Sequence, residues 1–101
     1  MYTLAVLYGQ PSNPEAFRHH YQTTHLPLAQ KLPGVRASRY SLEVSAADGD
    51  SPFFAVFEAD FDSAAAMIEA LTSPEGAATQ ADVPNFATGG AQIIHFPASS
   101  G

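Results

Sequence analysis

The chain has no cysteine, four lysines and arginines among 101 residues, and no apolar run longer than Phe53-Phe54-Ala55-Val56-Phe57. Without cysteine there is no disulfide scaffold, no thiolate metal site and no cysteine nucleophile. Five apolar residues are far too few to cross a bilayer. The start, Met1-Tyr2-Thr3-Leu4, lacks the basic segment and cleavage site of a secretory signal, so a soluble cytoplasmic protein is expected. The formal net charge of −6 leaves no basic footprint for a polyanion, which excludes broad nucleic-acid binding.

What is present is an ordinary globular composition: 46% hydrophobic and 14% charged residues. The length suits one domain, residues 1–101, and leaves no room for a second core. The charges are segregated. Arg18, Lys31, Arg36 and Arg39 form the whole basic set, while the acids from Glu43 to Asp82 follow later. Either the basic stretch is a positive patch for a carbonyl or carboxylate ligand, or it is a solvated surface with internal ion pairs.

Residues Tyr2 to Tyr8 read as a strand ended by Gly9. A helix follows, capped either by Ser12 with Glu15 reaching back or by Asn13 with Pro14 in the first turn. It is expected to run to about His25, with an inward stripe of Phe17, His20, Tyr21, Thr24 and Leu28, and to be broken near Pro27. Residues 37–45 alternate as a second strand, and Pro52 to Phe61 form a third. Asp62 or Ser63 caps a helix with the stripe Ala64, Met67, Ile68 and Leu71. Ser73-Pro74-Glu75 starts another helix running to about Asp82, and residues 85–96 carry the last strand.

This order, βαββαβ with one extra helix, predicts an α+β ferredoxin-like fold: a four-stranded antiparallel sheet with helices on one face. A turn near Asp48-Gly49 would set Arg39 opposite Glu58 and Tyr40 opposite Phe57. One sheet face is then wholly apolar. The other carries Arg39, Ser41, Glu43, Phe54, Val56 and Glu58, too apolar for water, and a second copy is expected to cover it in a homodimer.

The segments Phe17-Arg18-His19-His20-Tyr21, His25-Leu26-Pro27-Leu28-Ala29 and Leu32-Pro33-Gly34 resemble the EthD-like family of dimeric α+β barrel proteins. Leu71-Thr72-Ser73-Pro74-Glu75-Gly76 and Ala81-Asp82-Val83-Pro84-Asn85-Phe86 extend the likeness over nearly the whole chain. The family takes its name from a small protein associated with ethyl tert-butyl ether degradation, and its members are often labelled reductases. The resemblance implies a pocket between sheet and helices for a small, mostly apolar organic molecule. It implies a cofactor-independent or oxidoreductase-associated enzyme, or alternatively a non-catalytic carrier or accessory protein of a degradation pathway. A purely structural interaction module would have no enclosed pocket.

The resemblance places His25 at a His-x-Pro position of the family, as acid/base or hydrogen-bond donor to a substrate oxygen, or as a helix-end residue. It places Asp82 and Asn85 in the family's Asp-x-Pro-Asn-Phe stretch. Asp82 can hold His25 in one tautomer, or both residues can simply organise a turn. Tyr8, Tyr21, Tyr40, Phe57 and Phe86 are candidate pocket walls or plain core. His19 and His20 are neighbours and neither stands three or four residues from His25, so no two-histidine helical metal site is expected. No glycine-rich fingerprint for a dinucleotide or phosphate is present, and no cofactor is expected.

Overall fold

The computed structural model describes residues 1–100. Four antiparallel strands form one sheet: β1 (Tyr2–Gly9), β2 (Ala37–Ser41), β3 (Phe53–Phe61) and β4 (Ala91–Pro97), in the order β2-β3-β1-β4. The helices are α1 (Pro14–His20), α2 (Leu26–Ala29), α3 (Ala64–Leu71) and α4 (Pro74–Asp82). A π-turn, Tyr21–His25, joins α1 to α2, and a 3-10 turn, Val83–Asn85, follows α4. This is the α+β ferredoxin-like arrangement. No helix is long and apolar enough to cross a membrane.

The core lies between the sheet and the helices. Leu4 and Tyr8 of β1 and Ala55, Phe57, Ala59 and Phe61 of β3 meet Phe17, Tyr21, Met67 and Phe86. The aromatic rings meet mainly edge to face; Phe17 is 5.0 Å from both Phe54 and Phe86. The β2–β3 register is as expected, with Arg39 opposite Glu58 and Tyr40 opposite Phe57. Asn13, not Ser12, caps α1, accepting from the Ala16 N–H at 3.1 Å. Ser63 caps α3 and Ser73 caps α4.

Several expectations fail: β2 ends at Ser41 instead of residue 45, and β4 starts at Ala91 instead of residue 85 because the 3-10 turn at Val83–Asn85 comes first. Tyr8 pairs with Ala55 but Gly9 with Phe53, so Phe54 is an extra residue in a bulge. Its ring therefore turns to the helix side, packing on Phe17 beneath the Arg18 guanidinium, and does not contribute to the outer face. In α3 the buried residues are Met67 and Ala70, while Ile68 is exposed. The first helix does not stop at His25. A proline ring crowds the carbonyl four residues back and has no N–H to give. The wider π-turn absorbs both demands: the Leu26 N–H bonds the Tyr21 carbonyl five residues back, and Pro27 begins the next turn. The buried stripe becomes Phe17, Tyr21, His25 and Ala29, and Thr24 is exposed.

The arginines are internally paired. Arg36 binds Asp62, Arg39 binds Glu58 and Asp60, and Arg18 binds Glu15. The outer sheet face carries Leu7, Val56, Ile94 and Phe96 beside the Arg39–Glu58–Asp60 cluster. Ile94 is 39% exposed and Phe96 37%.

Candidate functional site

The π-turn decides which side chains of the first helix meet. Residues five apart are one π-turn apart, so His20 and His25 reach the same partner. That partner is Asp82, the last residue of α4. His25 Nδ1 lies 3.0 Å from Asp82 Oδ2, and His20 Nε2 lies 2.9 and 3.1 Å from its two oxygens. The Asn85 side-chain amide donates to Oδ1 at 3.0 Å. Asn85 stands three residues beyond Asp82, in the turn that Pro84 helps to shape.

Asp82 and His25 are buried, at 7% and 3% exposure. Burial opposes the charge of Asp82, but hydrogen bonds from Asn85, His20 and His25 hold its carboxyl below the usual carboxylate range. An ionised carboxylate only accepts, so His25 donates from Nδ1. When the ring is neutral, Nε2 then carries the lone pair; the ring's hydrogen bond among the described residues is the one through Nδ1. Burial, above all, lowers the His25 pKa, although Asp82 pulls the other way. His25 is thus not a helix-end residue: it is buried, and the π-turn carries the helix on past it into α2.

The His25 ring borders a cavity of about 50 Å³ between helices and sheet, lined also by Val6, Tyr8, Phe57, Val83 and Ile93. Its walls are almost entirely apolar. Burial, helped by the charge of Asp82, raises the Tyr8 pKa, so this phenol stays a donor. Ile93, half exposed on the edge strand β4, is among the lining residues that reach the surface, with Gln80 and Ala91.

Of the residues singled out in the sequence, His25, Tyr8 and Phe57 line this cavity. Asp82 and Asn85 support His25 from behind. Phe86 packs on the His25 ring at 4.6 Å, and Tyr21 at 5.4 Å. Tyr40 lies against Tyr21 but is 42% exposed and does not line the cavity. The Tyr21 hydroxyl is buried without a hydrogen-bond partner among the described residues. His20 was not expected in the site. The signal for it was Pro27, whose accommodation widens the turn that aligns residues 20 and 25. Among the described residues no group of three or more potential ligands could hold a metal ion.

The sequence profile of the EthD domain matches residues 10–90. An uncharacterized 11.0 kDa protein from the thcB–thcC intergenic region of Rhodococcus erythropolis is 38% identical over 96 residues, covering 93% of this chain and 91% of that one. The crystal structure of an ethyl tert-butyl ether degradation (EthD) family protein from Bacillus halodurans superposes with a TM-score of 0.91 at 31% identity, covering 98% and 99% of the two chains. A dimeric ferredoxin-like protein of unknown function from Thermobifida fusca shares the fold at 13% identity, with a TM-score of 0.73 over 96% of this chain and 90% of that one.

Proposed function

The chain belongs to the EthD domain family, and we propose that its cavity takes the carbonyl end of a small, mostly apolar organic molecule, with His25 as the base that removes a proton beside that carbonyl. One observation carries this reading: a buried imidazole anchored through Nδ1 on a carboxylate, which leaves Nε2 as the basic nitrogen of a ring that borders an apolar cavity. Nε2 takes the proton, the C–H electron pair passes into the enolate, and Asp82 stabilises the imidazolium. Tyr8, a protonated phenol on the same wall, supports the enolate oxygen. Return of the proton regenerates both partners, so no redox cofactor enters.

The cavity volume limits the ligand. About 50 Å³ takes only a few water-sized groups, since a cavity needs about 10–15 Å³ of such space to hold one water. The carbonyl head fits, and the remainder of the molecule leaves past Ile93.

Proton NMR in D₂O tests this with butanone and cyclohexanone as probes. The wild type is expected to exchange their α-protons well above the buffer rate. His25→Gln, which keeps a hydrogen-bonding side chain, should lower exchange by at least about 100-fold, as for a lost general base. Equal exchange in the two proteins, or none above buffer in the wild type, overturns the catalytic reading. Butanone-induced shifts without exchange identify a carrier.

The same reading includes a homodimer formed through the outer sheet face. The face is apolar at Leu7, Val56, Ile94 and Phe96, and comparable ferredoxin-like proteins are dimeric. Val56→Asp would place an unpaired carboxylate in that interface twice, once from each copy. Association should weaken by on the order of 100-fold or more. Sedimentation velocity at micromolar concentration checks this, and a monomeric wild type refutes the interface.

A further inference from the structure

We infer that His20 is a positioning residue for His25: through the carboxylate they share, it keeps the buried ring neutral and its Nε2 free. The inference rests on the reading of His25 as a base, and it concerns how that base is kept ready.

The geometry is a carboxylate between two imidazoles. Oδ2 of Asp82 is reached by both rings, and Oδ1 by His20 and Asn85. Phe86 fixes the spacing from one side, stacking on His20 at 5.5 Å and packing on His25 at 4.6 Å. One negative charge balances one imidazolium. The two rings differ in access to water: the His20 side chain is 29% exposed and that of His25 4%. Water can stabilise a charge on His20, and the buried ring has no such help. A proton shared out in the field of Asp82 is therefore placed at lower cost on His20 than on His25, which donates as a neutral ring. Burial is the largest force against charging His25, and the charge of His20 acts in the same direction.

The other ionisable groups packed around the pair do not supply this control. Tyr8 faces it from β1, and Tyr21 lies on the same helix with Tyr40 of β2 against it. Burial keeps the Tyr8 and Tyr21 phenols protonated. Asp82 is the acid that faces both rings.

Long-range ¹H–¹⁵N spectra of the imidazoles, recorded from about pH 5 to about pH 8 where histidines titrate, test the inference. In the wild type His25 is expected to hold the Nδ1–H neutral tautomer over most of that range. His20→Gln can still donate to Asp82 but carries no charge. The His25 midpoint should then rise by about one unit, the scale of a single nearby charge. The acid limb of the butanone exchange profile should move up with it. His20→Phe, which keeps a ring against Phe86, should shift the midpoint in the same direction. A lower melting temperature with an unmoved His25 titration would make His20 merely structural and overturn the inference, while leaving His25 as a base untouched. A moved midpoint in a protein without exchange would uphold the inference and sink the catalytic reading.

Discussion

Gly76→Ala, a change that strengthens most helices, is expected to lower the melting temperature by roughly 12–24 °C. The position is in the first turn of α4, where ordinary propensity favours alanine by about 1 kcal/mol. Packing reverses the sign. A Cβ on Gly76 would fall on the Ala70 carbonyl oxygen and stand 2.5 Å from that of Leu71. Both are main-chain atoms at the end of α3, so no rotamer relieves the contact. The two helices are also bound there: the Ser73 hydroxyl donates to Ala70 and accepts from the Gly76 N–H, and Gln80 donates to the Leu71 carbonyl. Alanine must push α4 away and break these bonds. Overpacking on this scale costs about 3 kcal/mol or more, and each kcal/mol moves the midpoint of a domain this size by about 4–8 °C. Thermal unfolding by circular dichroism gives the answer, and an unchanged or raised midpoint would mean that α3 and α4 do not dock this closely. Asp82 ends the same helix, so the variant should lose ketone exchange as well.

Asp82→Ala is expected to cost about 3–5 kcal/mol and to abolish exchange together. Two imidazoles and the Asn85 amide lose their acceptor, and each buried donor left without a partner costs about 1–3 kcal/mol. Asp82→Asn separates the effects. It keeps the volume, so stability falls less, but its amide cannot accept from three donors at once. The His25 tautomer is no longer fixed, and exchange should still drop by about 10²-fold or more. The pH dependence carries a sign of its own. His25 is held below its ordinary pKa, so the unfolded chain binds its proton first. That contribution to stability is complete above about pH 6.5 and is lost as pH falls from there toward the folded value. Asp82, also held low, adds a loss only below about pH 4. Acid therefore destabilises the wild type in two stages. Denaturant titrations at stepped pH should show the first stage vanish in His25→Gln and the second shrink in Asp82→Ala, the arginine-paired Asp60 and Asp62 supplying the remainder. A wild type equally stable at pH 5 and pH 7 would contradict the burial of a neutral His25.

The strand order, the helix start at Ser73 and the β2–β3 register were legible because each rests on local chemistry or a two-residue period, while Asn13 and Ser63 were each one of two open caps that the structure decides between. The contact between His25 and Asp82 was among the open alternatives, and the fold makes it. Phe54 was misplaced because a bulge changes the parity of a strand without changing its composition. His20 was missed because α-helical spacing sets it apart from His25. Nothing in residues 21–25 themselves announces a π-turn; the demand comes from Pro27 and from the sheet beneath.

The π-turn also straightens a line that would otherwise wind. In a regular α-helix four residues turn through about 400°, so a stripe taken at every fourth position drifts about 40° per step. Phe17, Tyr21, His25 and Ala29 are three such steps, and an unbroken helix would carry the last about 120° off the first. Yet all four are at most 5% exposed. One slackened turn takes up the angular drift, and a helix of ordinary residues presents a straight furrow to the sheet over its whole length. The aromatic wall at one end and the imidazole near the other are thereby parts of a single groove.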